Sequence, residues 1–251
     1  MPWYAYLLAP AAFLFHGITA ARNFLFDRGL IRSQKSPIPT LVVGNLSVGG
    51  TGKTPWVEFL VQKLRDEVAV GTLSRGYGRK TQGFIQLLPT SSAAEVGDEP
   101  LQLYTQFKQE IPVFVGEDRV GAMQKIQQIR PELQLLILDD AFQHRKLNPD
   151  FRIVLTPYSS PFSQDYLLPM GRLRESRAGA KRADVVVVSD FVMPSLSAPL
   201  VSRVQSQRAL RTQLHSVVVG EHAEGSPLAI FDSEWRFRRG GWGELLRVAS
   251  R

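Results

Sequence analysis

The stretch PTLVVGNLSVGGTGKTPWVEFL, from Pro39 to Leu60, decides the fold. A short β-branched apolar run passes through four glycines, a lysine and a threonine straight into an amphipathic segment. Within it, Ser47 to Thr54 (SVGGTGKT) matches the pattern G-x-x-x-x-G-K-[ST], with Ser47 in place of the first glycine. Gly49, Gly50 and Gly52 let the backbone curl so that its N–H groups point inward at phosphate oxygens. The helix that follows offers its N-terminal dipole to the same anion. In such a loop Lys53 reaches the β- and γ-phosphates and the Thr54 hydroxyl ligates Mg²⁺. Pro55 is tolerated because the first helical turn has spare N–H groups. Ser47, Val48, Gly49, Gly50, Thr51, Gly52, Lys53 and Thr54 are therefore the candidate nucleotide-binding residues, with ATP and Mg²⁺ as the expected cofactors.

Downstream, LQLLILDDAFQHRK (Leu133 to Lys146) supplies a partner motif. An apolar run ends in Asp139 and Asp140, and a carboxylate at the tip of a buried strand beside a P-loop can hold Mg²⁺ directly or through water. A strand-ending aspartate can also simply cap a helix. His144 either lines the same crevice or packs. Around these motifs, apolar runs of strand length (Leu41–Val43, Val68–Leu73, Val113–Val115, Leu133–Leu138, Arg152–Leu155, Asp184–Val188) alternate with helix-like stretches (Trp56–Glu67, Pro100–Gln109, Arg119–Ile129). Nearly continuous Val, Ile and Leu marks strands buried on both faces. The expected fold class is α/β: a P-loop NTPase-like, mostly parallel sheet flanked by helices.

The chain has 251 residues, a formal charge of +7 and no cysteine. Disulfides and cysteine-zinc sites are excluded, and the charge calls for an anionic partner: nucleic acid, acidic lipid or a phosphorylated substrate. Pro2 to Ala21 carries no charged side chain, and Trp3, Tyr4 and Tyr6 at one end and Arg22 and Arg28 at the other resemble interfacial anchors. A helix that spans a bilayer or lies in its interface is expected over residues 1–32; a helix packed on the protein's own core is the alternative. If it spans, its basic flank leaves the rest of the chain in the cytoplasm.

Three further stretches are polar where packing does not require it. LSRGYGRK (Leu73 to Lys80) can approach an anion through Arg75, Arg79 and Lys80, or be a solvated turn. EVGDEP (Glu95 to Pro100) places Asp98 and Glu99 before a helix, as dipole partners or as a catalytic carboxylate. LLPMGRLRESRAG (Leu167 to Gly179) carries Arg172, Arg174, Glu175 and Arg177, which either stabilise a transferring phosphate or are surface charges. From residue 190 onward the character changes: eight arginines and no lysine, whereas all eight lysines lie earlier. Val217 to Val219 is one more candidate strand there.

Taken in order, VVGNLSVGGTGKTP, LSRGYGRK, GDEP, DDAFQHR and LLPMGRLRE, after an apolar N-terminal helix, closely resemble the tetraacyldisaccharide 4'-kinases, the lipid A 4'-kinases of Gram-negative bacteria. The resemblance covers roughly Pro2 to Ser189. It implies a membrane-associated kinase at the cytoplasmic face of the inner membrane. Such an enzyme moves the ATP γ-phosphate to the 4'-hydroxyl of an acylated glucosamine disaccharide 1-phosphate, a lipid A precursor; no nucleic acid is expected as a partner. It further implies Asp98 as the base that accepts the hydroxyl proton, Asp140 and Arg174 as catalytic groups, and Thr54, Asp139 and Glu175 around the metal. Family members continue into a longer C-terminal half with an Asp-His motif. Here His215 and His222 are the only histidines of the tail and neither follows an aspartate. Residues 33–189 are thus expected to form the kinase domain, and 190–251 an atypical segment from a truncated or frame-shifted reading frame. A catalytically impaired, membrane-tethered ATP-binding protein is the alternative. The oligomeric state has no signature in the sequence.

Overall fold

The computed structural model describes residues 7–107, 110–157, 159–188 and the backbone of 230–231. Its centre is β2 (Thr40–Asn45), all six residues of which are buried. Side chains alternate across this strand: Leu41 and Val43 pack on one face of the sheet, Val42 on the other. Two apolar faces must both be covered, and they are. On one side lie α2 (Lys53–Leu64) and α4 (Asp98–Gln106), through Trp56, Leu60, Leu64, Leu103 and Tyr104. On the other lie α5 (Arg119–Ile129), through Met123 and Ile126, and a 3-10 turn at Arg177–Arg182, through Ala180.

The eight-stranded sheet runs β10-β9-β8-β2-β6-β3-β5-β4. Its members besides β2 are β3 (Val70–Ser74), β4 (Ile85–Gln86), β5 (Val113–Val115), β6 (Leu135–Asp139), β8 (Phe151–Thr156), β9 (Val185–Val188) and β10 (Ile230–Phe231). The six inner strands are parallel, and only the edge strands β4 and β10 run antiparallel. All six strand regions expected from the apolar runs are present, within a few residues at their ends. A separate two-stranded parallel pair joins β1 (Gln34–Lys35) to β7 (Leu147–Asn148). It lies outside those expectations, as do β4 and the short α3 (Ala93–Val96), which a Ser92–Glu95 capping box starts.

The topology decides where chemistry can occur. From β2 the chain steps to β3 and β5 on one side, returns to insert β6, and then places β8 and β9 on the other side. Loops leaving the carboxyl ends of β2, β3, β6 and β8 therefore meet over the centre of the sheet, where such folds bind ligands. Gly44 allows β2 to lie against the loop after β6: a Cβ there would fall 2.6 Å from the Phe142 Cβ.

At the N-terminus, α1 (Ala9–Asp27) has one buried residue, Ala12. Leu7, Phe13, Leu14, Ile18 and Leu30 are each more than 60% exposed. Among the described residues, the core therefore leaves most of the apolar side of this helix uncovered. Among the described residues, no helix is long and apolar enough to cross a membrane. Trp3, Tyr4 and Tyr6, like Val217–Val219, His215 and His222, lie outside the described residues.

Candidate active site

The loop after β2 has the conformation its glycines require. Gly49 (φ 104°) and Gly52 (φ 75°) occupy left-handed backbone, and Gly52 is the N-cap of α2. No side chain caps that helix. Its first N–H groups are thus left for an anion, in line with the dipole. The loop is braced from within and from outside. Asn45 Nδ2 donates to Thr51 Oγ1 across a buried 2.7 Å contact. Ser47, itself buried, bridges antiparallel to Leu173; the Val48 N–H donates to Arg172 O at 2.8 Å, and the Arg174 N–H to Leu46 O at 2.8 Å. The segment LLPMGRLRE is therefore a strap laid along the start of the P-loop.

Asp140 is where the motifs converge. Its carboxylate accepts from Arg174 Nη1 at 3.0 Å on both oxygens and pairs with Lys53 Nζ at 3.7 Å. Asp140 is also the one non-glycine residue with positive φ (49°) among the described residues. Held strain of this kind concentrates at functional sites. The structure thus brings Lys53, Asp140 and Arg174 together from three separate motifs.

Asp139, one residue earlier, is buried at the tip of β6 and its Oδ1 has no hydrogen-bond partner among the described residues. Burial, and then the neighbouring Asp140 charge, push its pKa up to about 7, against the opposing pull of Lys53. An orphaned buried carboxylate oxygen within the field of Lys53, at the head of α2, fits a hard divalent cation. Such an ion would supply the charge that burial denies. Close by is Arg119, buried at the first position of α5, with Nη1 donating to Gly116 O and Nε unpartnered. Burial lowers its pKa to about 10, while Asp139 and Asp140 hold it up, so it stays cationic at neutral pH. The sequence reading passed over Arg119 as the start of a helix. Its one local signal is a cation at a helix N-terminus, against the macrodipole. Asn45 was missed as well, because its partner is set by the loop's curl.

Glu175, expected around the metal, is held by neighbouring side chains. It is buried and fully engaged: it accepts from Asn23 Nδ2 (2.9 Å), Gln143 Nε2 (3.2 Å) and Arg182 Nη2 (2.8 Å). These bonds tie it to α1, to the loop after β6 and to the turn at Arg177–Arg182, and so anchor the strap. Gln143 links the same carboxylate to Asn45 O (2.8 Å), and Arg145 pairs with Asp27 of α1 (2.7 Å). The exposed helix is thereby tied directly to the loops of the site.

Asp98 opens α4 with its side chain exposed and free of hydrogen bonds among the described residues. Glu99, beside it, is close enough to add to the field on Asp139. The loop Arg75–Gly83 packs on α3, with the Lys80 N–H donating to Ala94 O at 2.7 Å. With Glu117 it lines an open depression of about 610 Å³. Arg79 is fixed there, paired with Glu117 and bonded to Gly83 O, whereas Tyr77 stands out into solvent. His144 lies on the wall of a different, small cavity that contains no P-loop residue.

A Gly-rich loop between a buried strand and an uncapped helix, with a lysine answered by an aspartate from a neighbouring strand tip, defines a P-loop α/β protein. The chain belongs to the tetraacyldisaccharide-1-P 4'-kinase family, whose model matches residues 4–231. Tetraacyldisaccharide 4'-kinase from Cytophaga hutchinsonii is 51% identical over 183 residues, covering 73% of this chain and 52% of that protein. The Flavobacterium psychrophilum enzyme of the same name is 49% identical over 182 residues, covering 72% and 53%. Among solved structures, the "apo" form of LpxK from Aquifex aeolicus in complex with ATP superposes with a TM-score of 0.68 at 35% identity. That alignment covers 77% of this chain and 62% of the other. The chain spans about half the length of the curated relatives it matches.

The raised pKa of Asp139 has a measurable consequence. Folded Asp139 keeps its proton up to about pH 7, whereas the unfolded chain releases it near 3.8. Protonation therefore favours the folded state, and this contribution fades as pH rises between those values and is absent above them. Asp139→Asn should stabilise the ligand-free protein at pH 8 and lose that advantage as pH falls toward 4. Urea unfolding of both proteins across this range checks it; a gap that does not change with pH contradicts it.

Proposed function

We propose that this chain is an ATP-dependent, Mg²⁺-requiring lipid kinase. It phosphorylates the 4'-hydroxyl of a tetraacyldisaccharide 1-phosphate, in lipid A synthesis, at the cytoplasmic face of the inner membrane. The observation that carries the reading is the junction of Lys53, Asp140 and Arg174 over the uncapped start of α2. Family membership and the ATP complex of the related structure supply the nucleotide and the acceptor.

The chain's own groups divide the work of phosphoryl transfer. Backbone N–H groups of the loop and of the α2 N-terminus receive the β- and γ-phosphates. Lys53 and Arg174, held against Asp140 when no phosphate is present, swing their charge toward the transferring group. Arg119 adds a fixed cation from below the site. Thr54 and Asp139 would hold Mg²⁺, which when bound neutralises charge on the β- and γ-oxygens. Asp98, unpaired and exposed toward solvent, accepts the acceptor hydroxyl's proton. Since transfer demands mainly alignment and charge neutralisation, the strap that fixes Arg174 is part of the machinery.

The acceptor is acylated and stays in a bilayer, so the enzyme must reach it there. With its apolar side chains exposed and its polar ones (Arg22, Asn23, Asp27) facing the catalytic loops, α1 suits an interfacial position. Basic residues Arg28, Arg32 and Lys35 follow it, on the side suited to an anionic leaflet.

Transfer of radiolabelled γ-phosphate to tetraacyldisaccharide 1-phosphate in mixed micelles tests the activity. Labelled lipid is expected, with Asp98→Ala reducing it by at least about 100-fold; no label, or label indifferent to Asp98, overturns the reading. For the helix, Leu14→Glu with Ile18→Glu should abolish flotation with anionic vesicles while leaving the melting temperature unchanged, because both residues are solvent-exposed. Flotation that survives both charges argues against an interfacial α1.

A further inference from the structure

Away from the P-loop, at the foot of α1, the structure encloses a cavity of about 90 Å³. That volume is about three waters' share of liquid. Its wall includes Ser33, His144, Arg145, Asn148, Arg152 and Arg182, and no carboxylate. Three arginines border one small space, where like charges repel and partial burial strengthens the repulsion, and the acidic partners of all three, Asp27, Glu175 and Asp184, stand outside the wall.

The hydrogen bonds make the imbalance concrete. Arg152 uses Nη2 on Asn148 Oδ1 (2.9 Å), and Arg182 uses Nη2 on Glu175 Oε1 (2.8 Å). The Nε and Nη1 of both side chains have no further hydrogen bond among the described residues. Arg145 is more fully committed, to Asp27 and Asn23 O. His144 lies half-buried with Nε2 unpartnered, its pKa lowered by burial first and then by Arg119. Burial, and then Arg182 and Arg145, likewise press down on Arg152, with Asp184 the main opposing charge. Asp184 stands behind the wall, accepting from the Arg152 backbone N–H at 2.7 Å. Two half-used guanidinium forks across a pocket of this size match the oxygens of a tetrahedral anion.

We propose that the Arg145–Arg152–Arg182 cavity is a phosphate-binding site, distinct from the P-loop, which takes either free inorganic phosphate or the phosphate of a lipid headgroup. The two sources share the chemistry that the guanidiniums recognise. Position serves both. The cavity is roofed by the loop carrying Arg145, which holds the end of α1, so an occupied site neutralises the repulsion beneath the helix that carries the exposed apolar side chains. The proposal does not depend on the kinase reading, and its readouts do not involve catalysis.

The experiment uses the full chain carrying Lys53→Gln, which weakens the P-loop's own phosphate response, and reads the difference that the cavity variants make in that background. Thermal unfolding is followed with inorganic phosphate against chloride at matched ionic strength. Flotation is measured with phosphatidylcholine vesicles with and without phosphatidic acid. At least one probe should act on the Lys53→Gln protein, by raising the melting temperature or by promoting flotation. Adding Arg152→Gln should weaken that response at least tenfold. Asn148→Asp, which places a carboxylate in the wall while leaving the arginines, should do the same and covers the case in which Arg152→Gln does not fold. A response to inorganic phosphate alone identifies the free ion, and one to phosphatidic acid alone identifies the headgroup. If neither probe acts, or if the cavity variants respond as the parent does, the proposal is overturned.

Discussion

One carboxylate organises the molecule's working end. Asp140 receives Arg174 on both oxygens and Lys53 on one, and it does so from a backbone conformation that side-chain-bearing residues rarely adopt. A half-exposed pair of this kind contributes little to stability, about 0.2–1 kcal/mol. Its significance is geometric. Lys53 rises from the P-loop, Arg174 from the strap and Asp140 from the tip of β6, and none of the three would meet if β6 had not been inserted beside β2. Two cations on one carboxylate also leave a net positive charge over an uncapped helix, the condition a polyphosphate requires.

Behind that carboxylate lies a buried network that joins the exposed helix to the catalytic loops. Glu175 gathers Asn23 of α1, Gln143 of the loop after β6, and Arg182; Gln143 reaches on to the carbonyl of Asn45 at the end of β2. The Glu175 carboxylate is answered on both oxygens, which helps to hold the loop in one position, although Gln143 Oε1 has no partner among the described residues. The strap, bonded directly to Leu46 and Val48, is thereby also tied to α1. The exposed helix and the strap along the P-loop thus share one set of hydrogen bonds.

Much of this was legible in the sequence, for definite reasons. Val113–Val115 and Arg119–Ile129 coincide with β5 and α5 because runs buried on both faces and 3.6-residue periodicity are local signals. The starts of α2 and α4 were read late, at Trp56 and Pro100 in place of Lys53 and Asp98. In both, the residues before those positions carry no apolar period that would mark the first turn. Pairs as short as β1, β4 and β7 have no period to detect. Among the candidate site residues, the meeting of Lys53 and Asp140 was legible because each stands at a fixed offset from a strand. The bond between Glu175 and Asn23 was not legible because the two lie 152 residues apart, a contact that no local pattern encodes.

The central claim is that Lys53, Asp140 and the open end of α2 form a seat for a nucleotide triphosphate. Calorimetric titration of a non-hydrolysable ATP analogue into this chain tests it most directly, with and without Mg²⁺, beside Lys53→Ala. The account predicts binding that Mg²⁺ strengthens and that Lys53→Ala weakens by at least about tenfold, the loss of roughly 1.4 kcal/mol. Binding of equal strength in both proteins, or none in the parent, contradicts it.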